Sequence, residues 1–141
     1  MQTRELLLTE LDTVYELIEE LPYQLSYSEF EDTVYEMRHQ EYKMFGVFEC
    51  DMLVAFIGIT IQSNLFYGKY LSINDFSILN LKNSKNYIYE LLHYILDNAK
   101  LLKIRTVVVI SPVDDEIKSI MIKEFSFKEN SMKLLTKIMV N

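Results

Sequence analysis

The stretch NLKNSKNYIYELL, residues 80–92, begins with the polar residues of a loop and continues with the apolar spacing of a helix. Free main-chain N–H groups at the start of a helix, together with the helix dipole, bind anions such as phosphate. Lys82 and Lys85 add positive charge at this junction. The stretch therefore predicts an anion site or, in the alternative that we favour, a simple helix cap formed by Asn83 or Ser84.

Other residue types with catalytic or metal-binding potential are few and scattered. The chain has two histidines and one cysteine, and their spacing is not that of a zinc site, so we expect no metal. His39 lies near a predicted helix end and His93 on the polar face of a predicted helix, where we expect solvation rather than catalysis. Cys50 lies in a predicted hairpin turn beside Asp51, whose carboxylate would not activate the thiol.

The charge balance argues against nucleic acid as a partner. The formal net charge is −7, the isoelectric point is about 4.8, and the three arginines are far apart in the sequence. Nucleic-acid binding requires a clustered basic surface. The nearest approach to one is the pair Lys82 and Lys85, which is too small.

Length and hydropathy indicate one globular unit, residues 1–141. No apolar run reaches the roughly 18 residues of a membrane span, so we expect no membrane association. The first residues carry acids and lack the pattern of a signal peptide. A single cysteine fits a reducing compartment, and we therefore expect a cytoplasmic protein.

The hydrophobic periodicity predicts the order β-α-α-β-β-β-α-β-α-β. A capping box is predicted at Thr9 before the first helix, which Pro22 would end, and a second box at Ser26 with Glu29 before the next helix. The segment LVAFIGITIQ is apolar on both faces and predicts a central strand. In KYLSINDFSIL the polar pair Asn74 and Asp75 interrupts a strand, which often marks a bulge. The long helix before the last one is predicted to turn one apolar stripe inward, namely Ile88, Leu91, Leu92, Ile95 and Ala99. The last helix is predicted to be capped by Ser111.

This order, with three meandering strands before a long helix, resembles the GCN5-related N-acetyltransferase (GNAT) superfamily over most of the chain. YKMFGVFECDMLVAFIGITI is similar to the family's hairpin, and KYLSINDFSIL to its fourth strand. The resemblance implies an α/β (α+β) fold, in which helices flank a mixed, mainly antiparallel sheet. It also implies acetyl-coenzyme A as the cofactor.

In that family the loop after the fourth strand carries an Arg or Gln, then two residues, Gly, one residue, and Gly or Ala. Counted without a gap, the signature falls on residues 83–88, with asparagine at the arginine position. The resemblance implies cofactor binding by the main chain at Ile78 and by the N–H groups of the signature residues Asn83, Ser84, Lys85, Asn86, Tyr87 and Ile88. Asn86 and Ile88 replace the glycines that let phosphate approach the backbone. We expect the β-branched Ile88 to narrow the site or redirect the phosphate.

The resemblance also implies an acid and a base for acyl transfer. The family's Tyr-x-x-x-Gly-Phe, which supplies the acid, corresponds to Ile122, Ser126 and Phe127, so the usual tyrosine acid is missing. Carboxylates at the family's strand bulge point into the substrate cleft, which makes Asp75 the candidate base. Alternatively, Asp75 has a structural role and satisfies N–H groups of the bulge.

The sequence therefore predicts an acyl-coenzyme A-dependent N-acetyltransferase with an eroded phosphate loop, acting on a small-molecule or protein amine. An acidic protein would suit a cationic acceptor such as a polyamine. The competing hypothesis is a non-catalytic protein of the same fold with a binding or regulatory role, which the substitutions at Asn83, Asn86, Ile88 and Ile122 favour. A homodimer whose cleft is covered by its mate stays open as a third arrangement.

Overall fold

The secondary structure follows the predicted order and adds one short strand. A computed structural model describes residues 1–19, 25–79, 84–130 and 134–139. Its strands are β1 (Gln2–Glu5), β2 (Lys43–Glu49), β3 (Met52–Asn64), β4 (Gly68–Ile78), β5 (Thr106–Val109), β6 (Lys128–Glu129) and β7 (Leu135–Ile138). Its α-helices are α1 (Leu11–Ile18), α2 (Tyr27–Arg38), α3 (Ser84–Leu101) and α4 (Asp115–Phe125), and a 3-10 turn, Leu8–Glu10, precedes α1. None of these helices is long and apolar enough to cross a membrane.

The strands form one sheet in the order β1-β2-β3-β4-β5-β7-β6. Neighbouring strands are antiparallel except β4 and β5, which are parallel because α3 crosses between them. β3 is central, as predicted, and is buried continuously from Leu53 to Thr60. The mixed, mainly antiparallel sheet flanked by helices confirms the predicted fold class.

The two faces of the sheet pack against different helices. On one face, α3 and α4 cover the larger core, and the residues of α3 predicted to point inward are all buried, namely Ile88, Leu91, Leu92, Ile95 and Ala99. On the other face, α1 and α2 cover a smaller core that includes Val14, Phe30 and Val34. We call these the α3 face and the α1/α2 face.

Of the helix caps predicted at Thr9, Ser26 and Ser111, the structure confirms the one at Ser26. Ser26 caps α2 as predicted: its Oγ accepts from the Glu29 N–H at 3.2 Å, and the Glu29 carboxylate accepts from the Ser26 N–H at 3.1 Å. The cap predicted at Thr9 is wrong, because a 3-10 turn precedes α1 and Glu10 instead accepts from Arg4 and the Leu7 N–H.

The cap predicted at Ser111 is also wrong. Asp114 caps α4 by accepting from the Ile117 N–H at 2.8 Å, so the helix starts after a short extended segment. The sequence also missed β6, whose two residues pair with β7 and are too few to show a period. Pro22, Lys82 and Asn83 lie outside the described residues, so the predicted end of α1 and the first signature position stay predictions.

Candidate active site

β4 and β5 pair over only part of the length of β4. The parallel register runs from Tyr70 opposite Thr106 to Ile73 opposite Val109. There the main-chain N–H groups of Ile110 and Ser111 both donate to the Ile73 carbonyl, at 2.9 and 3.1 Å. In the strand pairings of the described residues, β4 then continues from position 74 to position 78 paired only with β3. One edge of β4 is therefore left open where β5 has ended.

A β-bulge lies at the point where the two strands separate, as the Asn74–Asp75 pair predicted. Gly58 faces Asp75 and Ile59 faces Ile73, so Asn74 is an extra residue without a partner in the β3 register. The Asn74 side chain is hydrogen bonded to Thr60 at 3.2 Å and to Ser72 at 2.6 Å. The extra residue reverses the alternation of side chains and main-chain groups along β4.

The bulge directs main-chain groups of β4 toward the open edge. The Leu79 N–H donates to the Val54 carbonyl at 2.8 Å, which makes Leu79 and Val54 a hydrogen-bonded pair. Hydrogen-bonded and non-hydrogen-bonded pairs alternate in antiparallel sheets. The N–H and C=O groups of Phe76 and Ile78 consequently point away from β3, toward the open edge.

On the α1/α2 face, the bulge places the Asp75 side chain against Tyr42. The Tyr42 hydroxyl donates to Asp75 Oδ2 at 2.6 Å, and Tyr42 is 6% exposed. Burial raises the pKa of the Asp75 carboxyl above its usual value, and the hydrogen bond from Tyr42 opposes that rise. Burial, with the nearby Asp75 carboxylate, also raises the pKa of Tyr42 well above its usual range, so its hydroxyl stays protonated. Of the described residues, Tyr42 is the hydrogen-bond partner of the Asp75 side chain, rather than an N–H group of the bulge.

Gly58 makes room for this pair. A Cβ atom on Gly58 would overlap the hydroxyl and ring atoms of Tyr42. The absence of a side chain at Gly58 on β3 thus lets the phenol occupy this space and reach Asp75 on the neighbouring strand. Gly58 lies opposite Asp75 in the register, so Tyr42 packs over the glycine and reaches the carboxylate that the bulge positions.

A cavity of about 160 Å³ adjoins Asp75 and Tyr42 between the sheet and the two helices of the α1/α2 face. Its walls are largely apolar and aromatic, with Tyr15, Phe30 and Phe56 among the residues that line it. The Asp75 carboxylate lies in this wall. The arrangement can hold a small molecule with its polar end against a partly buried carboxylate.

The start of α3 lies on the other side of the bulge and carries most of the predicted cofactor residues. Ser84 is the first residue of the helix, and Lys85 and Asn86 are exposed. The ammonium group of Lys85 lies 3.5 Å from Glu124 Oε1 on α4 and 5.6 Å from the centre of the Tyr89 ring. Lys85 therefore has a carboxylate partner near the place where the sequence predicts phosphate.

Tyr87 and Ile88 point their side chains into the protein. Both are 2% exposed in the core of the α3 face, and the Tyr87 hydroxyl donates to the Glu49 carboxylate on β2. Because α3 begins at Ser84, the N–H groups of these two residues take part in the hydrogen bonding of the helix itself, so the free N–H groups lie earlier in the first turn. The Ile88 side chain packs the core, rather than covering the outer surface of the first turn.

The motif compared with the family's Tyr-x-x-x-Gly-Phe lies at the end of α4. Ile122 is 39% exposed and supplies no hydroxyl. Ser126 has φ of 61°, the left-handed conformation that favours glycine, and its N–H donates to the Met121 carbonyl to close the helix. Phe127 is buried. The structural part of the motif persists with serine in place of glycine, while the acid is absent from position 122.

Sequence reasoning missed two residues of this site, Tyr42 and Glu124. Tyr42 is 33 positions from Asp75, and its role depends on the pairing of β2, β3 and β4. Glu124 meets Lys85 only because α3 and α4 pack on the same face. Gly58, which lies opposite Asp75 in the observed register, points to Tyr42 only once the pairing of β3 and β4 is known.

Comparison with known proteins gives matches in structure only. No protein-family model matches the chain, and no curated protein sequence matches it. The structure of aminoglycoside 6'-acetyltransferase type Ii is similar, with a TM-score of 0.75 and 16% identity over 100% of this chain and 99% of that one. PaiA N-acetyltransferase from Thermoplasma acidophilum, solved with coenzyme A, gives a TM-score of 0.74 and 14% identity over 98% of each chain.

A spermidine N-acetyltransferase chimera from Vibrio cholerae and hSSAT gives a TM-score of 0.74 and 15% identity, over 98% of this chain and 96% of that one. These identities are low, so the similarity concerns the fold. The chain has the fold of the GCN5-related N-acetyltransferase superfamily, as its sequence resemblance implied.

Proposed function

We propose that this protein is an acyl-coenzyme A-dependent N-acetyltransferase that acts on an amine. One observation carries the proposal: at the bulge of β4, an open strand edge lies on one side and the partly buried Asp75 carboxylate lies on the other. The edge offers amide groups to a cofactor, and the carboxylate faces a cavity that can hold an acceptor. The structural neighbours named above include an acetyltransferase with coenzyme A and one for spermidine, which supports the same chemistry.

On the cofactor side, the proposed contacts use the main chain. The outward N–H and C=O groups of Phe76 and Ile78 suit the amides of a pantetheine arm, because an open strand edge hydrogen bonds an extended chain. The N–H groups of residues 83–86, at the start of α3, suit phosphate, since the first N–H groups of a helix have no partner within it and any residue except proline supplies this donor. These groups fit acetyl-coenzyme A, which when bound would supply an activated acetyl thioester.

On the acceptor side, we assign Asp75 as the general base. An amine is protonated at neutral pH and attacks only after losing a proton, which the Asp75 carboxylate would accept. A base works best when its pKa lies near the working pH. Burial moves the pKa of Asp75 in that direction, while the hydrogen bond from Tyr42 fixes the orientation of the carboxylate.

Thermal melting with and without acetyl-coenzyme A tests the cofactor assignment. A ligand present at 100 times its Kd adds about 2.7 kcal/mol to the free energy of unfolding, which is readily measured. We expect Tm to rise with acetyl-coenzyme A, and transfer of the acetyl group to an amine to follow. A Tm unchanged at millimolar cofactor would overturn the proposal.

The second candidate is a non-catalytic binding or regulatory protein with the same fold. Two observations favour it: position 122 on α4 offers no acid, and Lys85 at the cofactor end is paired with Glu124. The two candidates differ in one measurement. The non-catalytic protein would bind amines in the cavity without acetylating them at any concentration of acetyl-coenzyme A.

A further inference from the structure

We propose that the cavity beside Asp75 binds a primary amine with one compact, ring-sized apolar group, with its ammonium against the carboxylate. This inference deepens the proposed function and rests on it for the identity of the molecule as the acceptor. It replaces the polyamine suggested by overall charge with a different class of amine. The ground for it is the size and lining of the cavity.

The volume of the cavity matches that of a single six-membered ring. Its volume is about 160 Å³, and an apolar cavity of about 150 Å³ is large enough to bind benzene. A six-membered ring therefore fills the space with little left over. A long flexible polyamine gains little binding free energy from such a cavity, because most of its length would lie outside. Its several charges would also compete for the single Asp75 carboxylate.

The walls of the cavity are suited to a ring. Tyr15 on α1 and Phe30 on α2 meet edge to face with their ring centres 5.4 Å apart, and Phe56 contributes from the sheet. Ile18 and Met37 complete the apolar lining at the two helices. Aromatic walls of this kind favour a further ring in an edge-to-face or offset arrangement, and their faces attract a cation.

The polar groups in the lining favour a cation over an anion or a neutral molecule. The two charged side chains among the described lining residues are the carboxylates of Asp75 and Glu19. The Tyr15 hydroxyl donates to the Leu25 carbonyl at 2.6 Å, and the Tyr42 hydroxyl donates to Asp75, so both protons are already committed. A partly buried carboxylate with one donor gains most from an ammonium, which brings both charge and N–H groups.

Calorimetric titration of the full chain without coenzyme A tests the inference directly. Three probes separate shape from charge: benzylamine has both features, benzyl alcohol has the ring without the charge, and putrescine has charge without the ring. We expect benzylamine to bind at least tenfold more tightly than either. Equal binding of benzyl alcohol or of putrescine would overturn the proposal, and so would the absence of benzylamine binding.

Two variants and a control locate the site. Asp75→Asn should abolish the preference for benzylamine over benzyl alcohol, and Thr33→Leu, which enlarges a partly exposed lining residue, should weaken both ring compounds. Asp32→Asn removes the same charge from an exposed position of α2 and should change nothing. A preference that survives Asp75→Asn would place the amine elsewhere. If Asp75→Asn fails to fold, the three probes on the unaltered chain still decide.

The outcome is distinguishable from failure of the proposed function. If benzylamine binds but acetyl-coenzyme A does not change Tm, the proposal of a transferase is wrong and the cavity is an amine-binding site only. Binding of acetyl-coenzyme A without benzylamine binding would sink the present inference alone.

Discussion

The two sides of the β4 bulge are built in different ways. On the α1/α2 face, the proposed site consists of side chains: Asp75 on β4, Tyr42 immediately before β2, and the space that Gly58 leaves open on β3. At the open edge and the start of α3, the groups that can hold a ligand are main-chain amides. There the side chains of Tyr87 and Ile88 are in the core.

This difference shows which substitutions each side tolerates. A main-chain donor survives almost any change of side chain, so the replacement of signature glycines alters the approach of a phosphate without removing its donors. A carboxylate held by one phenol is lost by a single substitution. The acceptor side is therefore specified by few residues, and the cofactor side by the fold itself.

The largest expected effect is on activity, from Asp75→Asn. A general base contributes about 10²- to 10⁴-fold to rate, so kcat/KM for acetyl transfer to an amine should fall by that factor. Ser84→Ala on the cofactor side keeps its main-chain N–H and removes at most one neutral hydrogen bond, worth about 1 kcal/mol or roughly fivefold. Similar losses in the two variants would contradict the contrast between the two sides.

Ile88→Ala tests whether this signature position serves the core or the ligand. Because Ile88 is 2% exposed, truncation should cost about 2–5 kcal/mol of unfolding free energy, measured by urea denaturation. Asn86→Ala, two residues earlier and exposed, should stay within about 0.5 kcal/mol. A small cost for Ile88→Ala would mean that its side chain covers the helix start, as the sequence suggested.

The sequence predicted the fold well because its signals are local and periodic. The apolar run of β3, the helical spacing of the five inward residues of α3 and the Asn74–Asp75 pair can each be recognised within a short stretch of the sequence. The caps at Thr9 and Ser111 failed because of contacts that the sequence does not rank. Glu10 accepts from the Leu7 N–H in the 3-10 turn that precedes α1, and Asp114 rather than Ser111 caps α4.

The site was predicted less completely, for a physical reason. Asp75 was identified from its place in a strand, but its partner Tyr42 depends on the register of three strands. Ile88 was assigned by alignment to a phosphate position, but its side chain packs in the core and its N–H group takes part in the hydrogen bonding of the helix. The role of residues 83–88 as a cofactor site stays a prediction.

Gly58→Ala tests whether Tyr42 needs the space that Gly58 leaves open on β3. The added Cβ would overlap the phenol, and overpacking of this kind costs about 1–3 kcal/mol. In a Tyr42→Ala background the same change should cost little, because the obstacle is gone. A double-mutant cycle by urea denaturation measures this coupling. Additive costs would show that Tyr42 is not held in place by the space above Gly58.

The raised pKa of the Asp75 carboxyl also predicts a pH dependence of stability. The pKa of Asp75 is raised in the folded state, so the folded protein binds this proton more tightly than the unfolded chain. Stability from this group is present below the unfolded pKa, about 3.9, and is lost as pH rises through the folded pKa. Asp75→Asn should therefore gain stability relative to the unaltered chain as pH rises from 4 to 8. Asp32→Asn serves as the charge-matched control, and parallel curves for all three proteins would contradict the prediction.

The smallest expected effect lies on the cofactor side, in the Lys85–Glu124 pair. The two charged groups are 3.5 Å apart, with side-chain exposures of 55% and 40%. Pairs as exposed as this contribute about 0.2–1 kcal/mol. Glu124→Gln should release Lys85 toward a phosphate and tighten coenzyme A binding by at most about fivefold.

The control for this variant is Glu129→Gln, which removes the same charge from a pair with Lys118 at 3.2 Å. Pantetheine, which has no phosphate, should bind both variants equally, because Lys85 has nothing to contact. The gain with Glu124→Gln should also shrink as salt is added, since exposed charges are screened. A gain shared by Glu129→Gln would reflect net charge alone, and would leave the main chain as the sole source of phosphate affinity at the start of α3.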